Sequence, residues 1–323
     1  FFFQAEDGKR DAQESRGLGD VYKRQAESYG NVSLGNYTLD DSFNGAIYNT
    51  ALGYGALSDL ETGDGNVAVG TSAGQTTVDV DNTVLIGKQA GTGNLTSAAD
   101  GVIAIGFEAM KVHATGARNM AIGYAAMNDT DAGSTSLGSL DNIFIGYDAG
   151  GGTWADAASN YNIAIGHYAL DAGVNGALRN IAIGYEALSD LTTGDSTIAI
   201  GYGAADDMTT GTGNMAIGAY ALSGMTTGES NMAIGNSAMG SNISTAGGYN
   251  TVVGHYANQT GPSSGANNTY LGYGVGRFYP TGSTNTAIGT IALEGISGQV
   301  ASVGSNVVIG WRSLYRTTNS NYN

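Results

Sequence analysis

Asn180-Ile181-Ala182-Ile183-Gly184-Tyr185-Glu186-Ala187-Leu188, near the middle of the chain, returns in looser form along nearly all of it. Its central glycine recurs as Gly35, Gly53, Gly70, Gly87, Gly106, Gly123, Gly146, Gly166, Gly184, Gly201, Gly218, Gly235, Gly254, Gly272, Gly289 and Gly310, most often 17 residues apart. A fixed period of that size means stacked units, none of which buries enough surface to fold alone. Ile, Val or Leu precedes every one of these glycines, and Val, Ile, Met or Thr stands two residues before that. A spacing of two places both side chains on one face of a strand. Such regularity predicts a buried aliphatic ladder through Ile105, Ile122, Ile145, Ile165, Ile183, Ile200, Ile217 and Ile234. The residue between them is Ala in ten copies, but Phe144, Val252, Tyr270 and Val308 also occur. That face reads as the less enclosed one, or as a second interface.

Three residues after the glycine Ala recurs, followed often by Leu or Met, as at Leu57, Met110, Leu170, Leu188 and Leu222. This predicts a second short buried segment. Ten residues after the central glycine another one recurs, at Gly45, Gly63, Gly116, Gly133, Gly176, Gly194, Gly211, Gly228 and Gly282, usually among Thr and Asp. Gly there is expected to supply the positive φ of a tight turn. A helix is excluded, because each apolar stretch carries a central Gly costing about 1 kcal/mol relative to Ala. Two short strands and two turns per unit predict an all-β fold, a parallel β-solenoid or β-roll of about 16 coils. At ~4.8 Å per coil the rod would be roughly 75 Å long. Asn opens most copies, from Asn31 to Asn306, with Thr83, Val102 and Thr197 as exceptions. One Asn per coil can form a hydrogen-bonded ladder.

The 323 residues include 53 Gly, two Pro and no Cys. Disulfides, cysteine-ligated metals and thiol nucleophiles are thereby excluded. Twelve basic against 28 acidic residues leave a net charge of -16, which argues against nucleic acid as a partner. No apolar run approaches the ~18 residues of a membrane-spanning helix. Residues 1–25 hold five of the twelve basic residues and none of the repeat. They resemble translated sequencing-adapter read-through and are set apart as non-native or disordered, leaving 26–323 as one repeat domain. One further period after Gly310 would place the next opening Asn at 323, where the chain stops, so a fragment cut within the array is expected.

The Asn-x-Ala-Ile-Gly-x-x-Ala repeat resembles the head repeats of YadA-type trimeric autotransporter adhesins and similar repeats of bacteriophage tail fibres. The resemblance covers residues 31–323. It implies a left-handed parallel β-roll, a homotrimer, and an extracellular place on a bacterial surface or a virion tail. It further implies attachment to a host cell-surface glycan or protein receptor.

Motifs for chemistry are few. His167 and His255 follow the central glycine in a slot filled elsewhere by Tyr54, Phe107, Tyr124, Tyr147, Tyr185, Tyr202, Tyr273 and Trp311. The two histidines thus occupy an aromatic slot and suggest neither a metal site nor a triad. The slot admits two readings: core filling if alternation persists through the glycine, or an exposed stripe at a subunit or ligand interface if the chain turns outward. Trp154 falls in one of the long insertions, where binding loops emerge from a solenoid. Gly272-Tyr273-Gly274-Val275-Gly276 lacks the third glycine of a dinucleotide fingerprint, and the calcium nonapeptide is absent, so no cofactor or metal is expected. The expected function is structural and adhesive rather than enzymatic. The alternative is a polysaccharide-cleaving tailspike-like enzyme, which would need two carboxylates of adjacent coils to converge in a groove.

Overall fold

The computed structural model describes residues 30–40, 45–129, 138–154, 157–240, 247–259, 265–278, 282–296, 302–316 and 319–321. The segment 1–25 lies outside them, as do 130–137 and 155–156, parts of the long units Asn128 to Asp141 and Tyr147 to Tyr161. Each coil supplies one strand of three residues to the main sheet, from Val32–Leu34 through Ile181–Ile183 and Ile198–Ile200 to Val307–Ile309. Sixteen of these pair in parallel, each with the next coil's, into a single sheet. Ser302–Gly304 pairs with Asn319–Asn321 in a separate two-stranded sheet. The register is that of the motif: Ile181 lies opposite Ile198, Ala182 opposite Ala199 and Ile183 opposite Ile200. The chain is the expected all-β parallel solenoid. Helix among the described residues is limited to a 3-10 turn at Ser97–Ala99.

The second buried segment is not a strand. Glu186 and Leu188, two and four residues after Gly184, both have φ of 53°. A left-handed residue cannot continue a pleat, so this wall is a run of turns. It is still held to the next coil by the main chain: Leu188 N–H donates to the Ala204 carbonyl at 3.0 Å, and Asp190 N–H to that of Asp206 at 3.1 Å.

The strand faces are inverted relative to the sequence-based expectation. Ala182, Ala199 and Ala216 are fully buried, whereas Ile165 and Ile200 remain 38% and 36% exposed. Ile105, Ile122, Ile145, Ile183, Ile217 and Ile234 are half-buried. The ladder is therefore continuous but lies on the outside. A coil of 17 residues is thin, and its interior is already filled by Ala187, Leu188 and Leu191 from the opposite wall, all buried. In this coil that leaves room for Ala at the strand centre, whereas Phe144 and Tyr270 fill the same place in coils whose opposite wall carries Gly150 and Gly276.

The central glycine makes the close stacking possible. Gly184 has φ of 136°, and a Cβ on it would collide with the carbonyl of Gly201 in the next coil. The turn glycines behave differently from expectation. Positive φ is found at Gly45, Gly116 and Gly176 but not at Gly63, Gly194, Gly211 or Gly228. Gly133 lies outside the described residues. At Gly194 the constraint is space: a Cβ would stand 2.7 Å from Leu191 Cδ1 and would also meet the Gly211 carbonyl. The positive φ falls two residues later, at Gly65, Ser196 and Gly213.

The Asn ladder is present. Asn180 Nδ2 donates to Asn162 Oδ1 at 3.1 Å and to the Gly194 carbonyl at 2.8 Å, and Thr197 N–H donates to Asn180 Oδ1 at 2.9 Å. These buried amides satisfy main-chain groups at the corner that no strand partner reaches.

Candidate functional site

Two features outside the core could act. The first is the outer sheet face with the aromatic column beside it. Because the central glycine turns the chain, the residue after it leaves the core, and Tyr54, Tyr124, Tyr147, Tyr185, Tyr202, Tyr273 and Trp311 are all exposed. Of the two readings of the slot, the outward stripe is the one realised. Its rings stack from coil to coil: Phe107 on Tyr124 at 5.0 Å between centroids, Tyr124 on Tyr147 at 5.1 Å and Tyr185 on Tyr202 at 5.1 Å. His167 and His255 continue the column beside Tyr147 and Tyr273.

Sequence reasoning missed a second column one residue further on. Tyr168 sits edge-on to Tyr147 and Tyr185, Tyr220 to Tyr202, and Tyr37 to Tyr54. The signal was present in the repeat, but Tyr alternates there with Gly, Ser, Gln and Glu and so shows no pattern. Trp154, by contrast, belongs to neither column. It is 1% exposed, packs edge-on against Phe144 at 5.5 Å, and donates from Nε1 to the Gly150 carbonyl at 3.1 Å. Its main-chain N–H donates to the Asp129 carbonyl of the preceding coil at 3.1 Å, so it fills the core and is not a surface aromatic.

No family model, curated protein or solved structure matches this chain.

The second feature is a groove of about 410 Å³ lined by Tyr168, Asp171, Glu186, Ser189, Asp190, Asp206 and Asp207. Asp171, Ser189 and Asp206 occupy the same place on three successive coils, five residues after Gly166, Gly184 and Gly201. A smaller groove of about 240 Å³, with Asp40, Ser58 and Gln75 in that place, lies on the same corner near the other end. No basic residue lines either groove. Burial, reinforced by Asp148, Asp190 and Glu186, pushes the Asp171 carboxyl up to about 6. Burial, with Asp207 and Asp190 beside it, does the same for Asp206. Stacking at coil spacing thus brings like charges together, and protonation is the available relief. Among the described residues no group of three or more His, Asp or Glu is placed to hold a metal ion. No helix among them is long and apolar enough to cross a membrane.

Proposed function

We propose that the chain is the attachment rod of an extracellular trimeric adhesin or phage tail fibre. Three copies join through their outer sheet faces and bind a host cell-surface glycan or protein receptor. The observation that carries this reading is the column Ile165, Ile183, Ile200 and Ile217, in register on successive strands and turned away from the core. A water-facing aliphatic ladder along a whole rod is the kind of surface that subunit contacts cover. Covering it stabilises the assembly at about 25 cal/mol per Å² of apolar area. The resemblance to YadA-type head repeats supports three copies rather than two, and a place outside the cell or on a virion. Three parallel rods would repeat each weak surface contact along the length and around the axis, summing them by effective concentration.

The test is attachment of the labelled chain to bacterial and mammalian cells, beside a variant carrying Ile183→Thr, Ile200→Thr and Ile217→Thr. Saturable attachment that falls with loss of the oligomer supports the reading. Absence of attachment by the intact oligomer to every surface tried overturns it.

The acidic groove favours a second reading, cleavage of a surface polysaccharide. A carboxyl that keeps its proton near pH 6, as at Asp171 or Asp206, can act as general acid to a glycosidic oxygen while an ionised neighbour activates water. Reducing ends released from capsular polysaccharide by the chain, and not by Asp206→Asn, would establish it.

A further inference from the structure

Only seven basic residues lie beyond residue 25, and three of them, Arg277, Arg312 and Arg316, meet on one corner in the last coils. Main-chain bonds fix the arrangement. Gly295 N–H donates to the Arg277 carbonyl at 2.8 Å and Arg316 N–H to the Glu294 carbonyl at 2.7 Å, so Arg277, Glu294 and Arg316 stand on three successive coils. Each guanidinium lies over a ring. Arg277 is 4.6 Å from the centroid of Phe278, Arg312 is 5.1 Å from both Trp311 and Tyr315, and Arg316 is 5.2 Å from Tyr315. Trp311 is 71% exposed, so the corner opens to solvent.

Among the described residues no ion pair takes up these three positive charges. Glu294 is the carboxylate among them, and no ion pair joins it to any of the three. Burial raises its carboxyl above the ordinary range although Arg277, Arg316 and Arg312 pull the other way. Arg277 Nε is buried with no hydrogen-bond partner, and so is Gln259 Oε1 in the equivalent place one coil earlier. Unspent guanidinium forks held against aromatic faces are suited to a planar anion attached to an apolar-faced ring.

We propose that this corner is a binding site for a negatively charged sugar unit, its carboxylate or sulfate held by Arg277, Arg312 and Arg316 and its ring set against Trp311 and Tyr315. The site deepens the attachment reading and rests on it for the ligand being a glycan. On a chain of net charge -16 it is also the place toward which an anionic polymer would be steered.

Calorimetric titration of the full chain tests this, with a heparin-derived sulfated oligosaccharide, an oligogalacturonate, a neutral malto-oligosaccharide and inorganic sulfate. Both anionic sugars should bind, more weakly as salt is raised, and Arg312→Gln with Arg316→Gln should weaken them about tenfold or more. Arg179→Gln, at an exposed arginine remote from the corner, should change nothing, and circular dichroism checks that each variant keeps its fold. Binding unchanged in the double variant, no binding of either anionic sugar, or equal binding of the neutral sugar overturns the site. Inorganic sulfate binding as tightly as the sulfated sugar overturns the part played by the rings. Cell attachment is scored separately: a double variant that attaches fully overturns this site and leaves the adhesive reading, whereas sugar binding without attachment does the reverse.

Discussion

Phe144 and Gly150 share one volume in the core. Phe144 holds the strand-centre place that Ala121 and Ala164 hold in the coils on either side, and Gly150 the place that Met127 and Leu170 hold there. A Cβ on Gly150 would stand 2.5 Å from the Phe144 ring. The same exchange recurs at Leu85 with Gly91 and at Tyr270 with Gly276, where a Cβ would stand 2.7 and 2.9 Å from the larger side chain.

Phe144→Ala should therefore cost about 3–5 kcal/mol, as for a buried aromatic truncated to a cavity. Gly150→Leu alone should also destabilise, by overpacking and by its positive φ of 62°. Together the two restore the neighbouring coils' composition, and urea unfolding should recover much of the loss. Purely additive losses would show that the two residues do not share a site.

Asn180→Ala removes the acceptor for Thr197 N–H and the donor to the Gly194 carbonyl, both inside the stack. Leaving buried main-chain groups unpaired costs about 1–3 kcal/mol each, so stability should fall by about 3 kcal/mol in all. Amide exchange should quicken first at Thr197. A loss confined to a few tenths of a kcal/mol would remove the ladder from the account of stability.

Much of this was legible before any coordinates. The glycine pitch places the sixteen strands of the main sheet, though not the turns that stand where a second strand is expected, and the Asn column forms the ladder its regularity predicts. The choice of inner face was not legible from hydrophobicity, because a spacing of two fixes only that Ile181 and Ile183 share a side opposite Ala182. Volume decides which side is inner, and the volume signal lay elsewhere: wherever Leu85, Phe144 or Tyr270 replaced the strand-centre Ala, a Gly stood six residues later. The charged residues of the grooves and the arginine corner show no pattern in the repeat because they stand two, five and six residues after the glycine, where residue type varies freely from coil to coil. Three-dimensional stacking, not pattern, brings those residues together.

Asp171 and Asp206, each raised to about 6, set the direction of the pH response. Their folded values lie above the roughly 3.9 of an unfolded Asp, so their contribution is complete below about pH 4 and is lost as pH rises through 6. The urea midpoint should be higher at pH 5 than at pH 7.5, and Asp171→Asn with Asp206→Asn should narrow that difference. Both groups are about half-buried, so solvent screening keeps the effect modest. An equal pH response in the wild type and the double variant would contradict the assignment.

Neighbouring positions on one strand should answer oppositely to the same substitution. Ala199→Lys drives a charge into a fully buried site and should abolish the fold at that coil. Ile200→Lys places it on the outer face, so far-UV circular dichroism should persist while association between chains is lost. If Ile200→Lys unfolds the chain and Ala199→Lys does not, the faces have been assigned the wrong way round.

The outward ladder is best tested by the molar mass of the intact chain in solution, by sedimentation equilibrium at micromolar concentration. The account predicts three times the 32.7 kDa of one chain, reduced to a single chain by Ile200→Lys. A folded wild-type chain that sediments at 32.7 kDa, its isoleucine column in water, would contradict it.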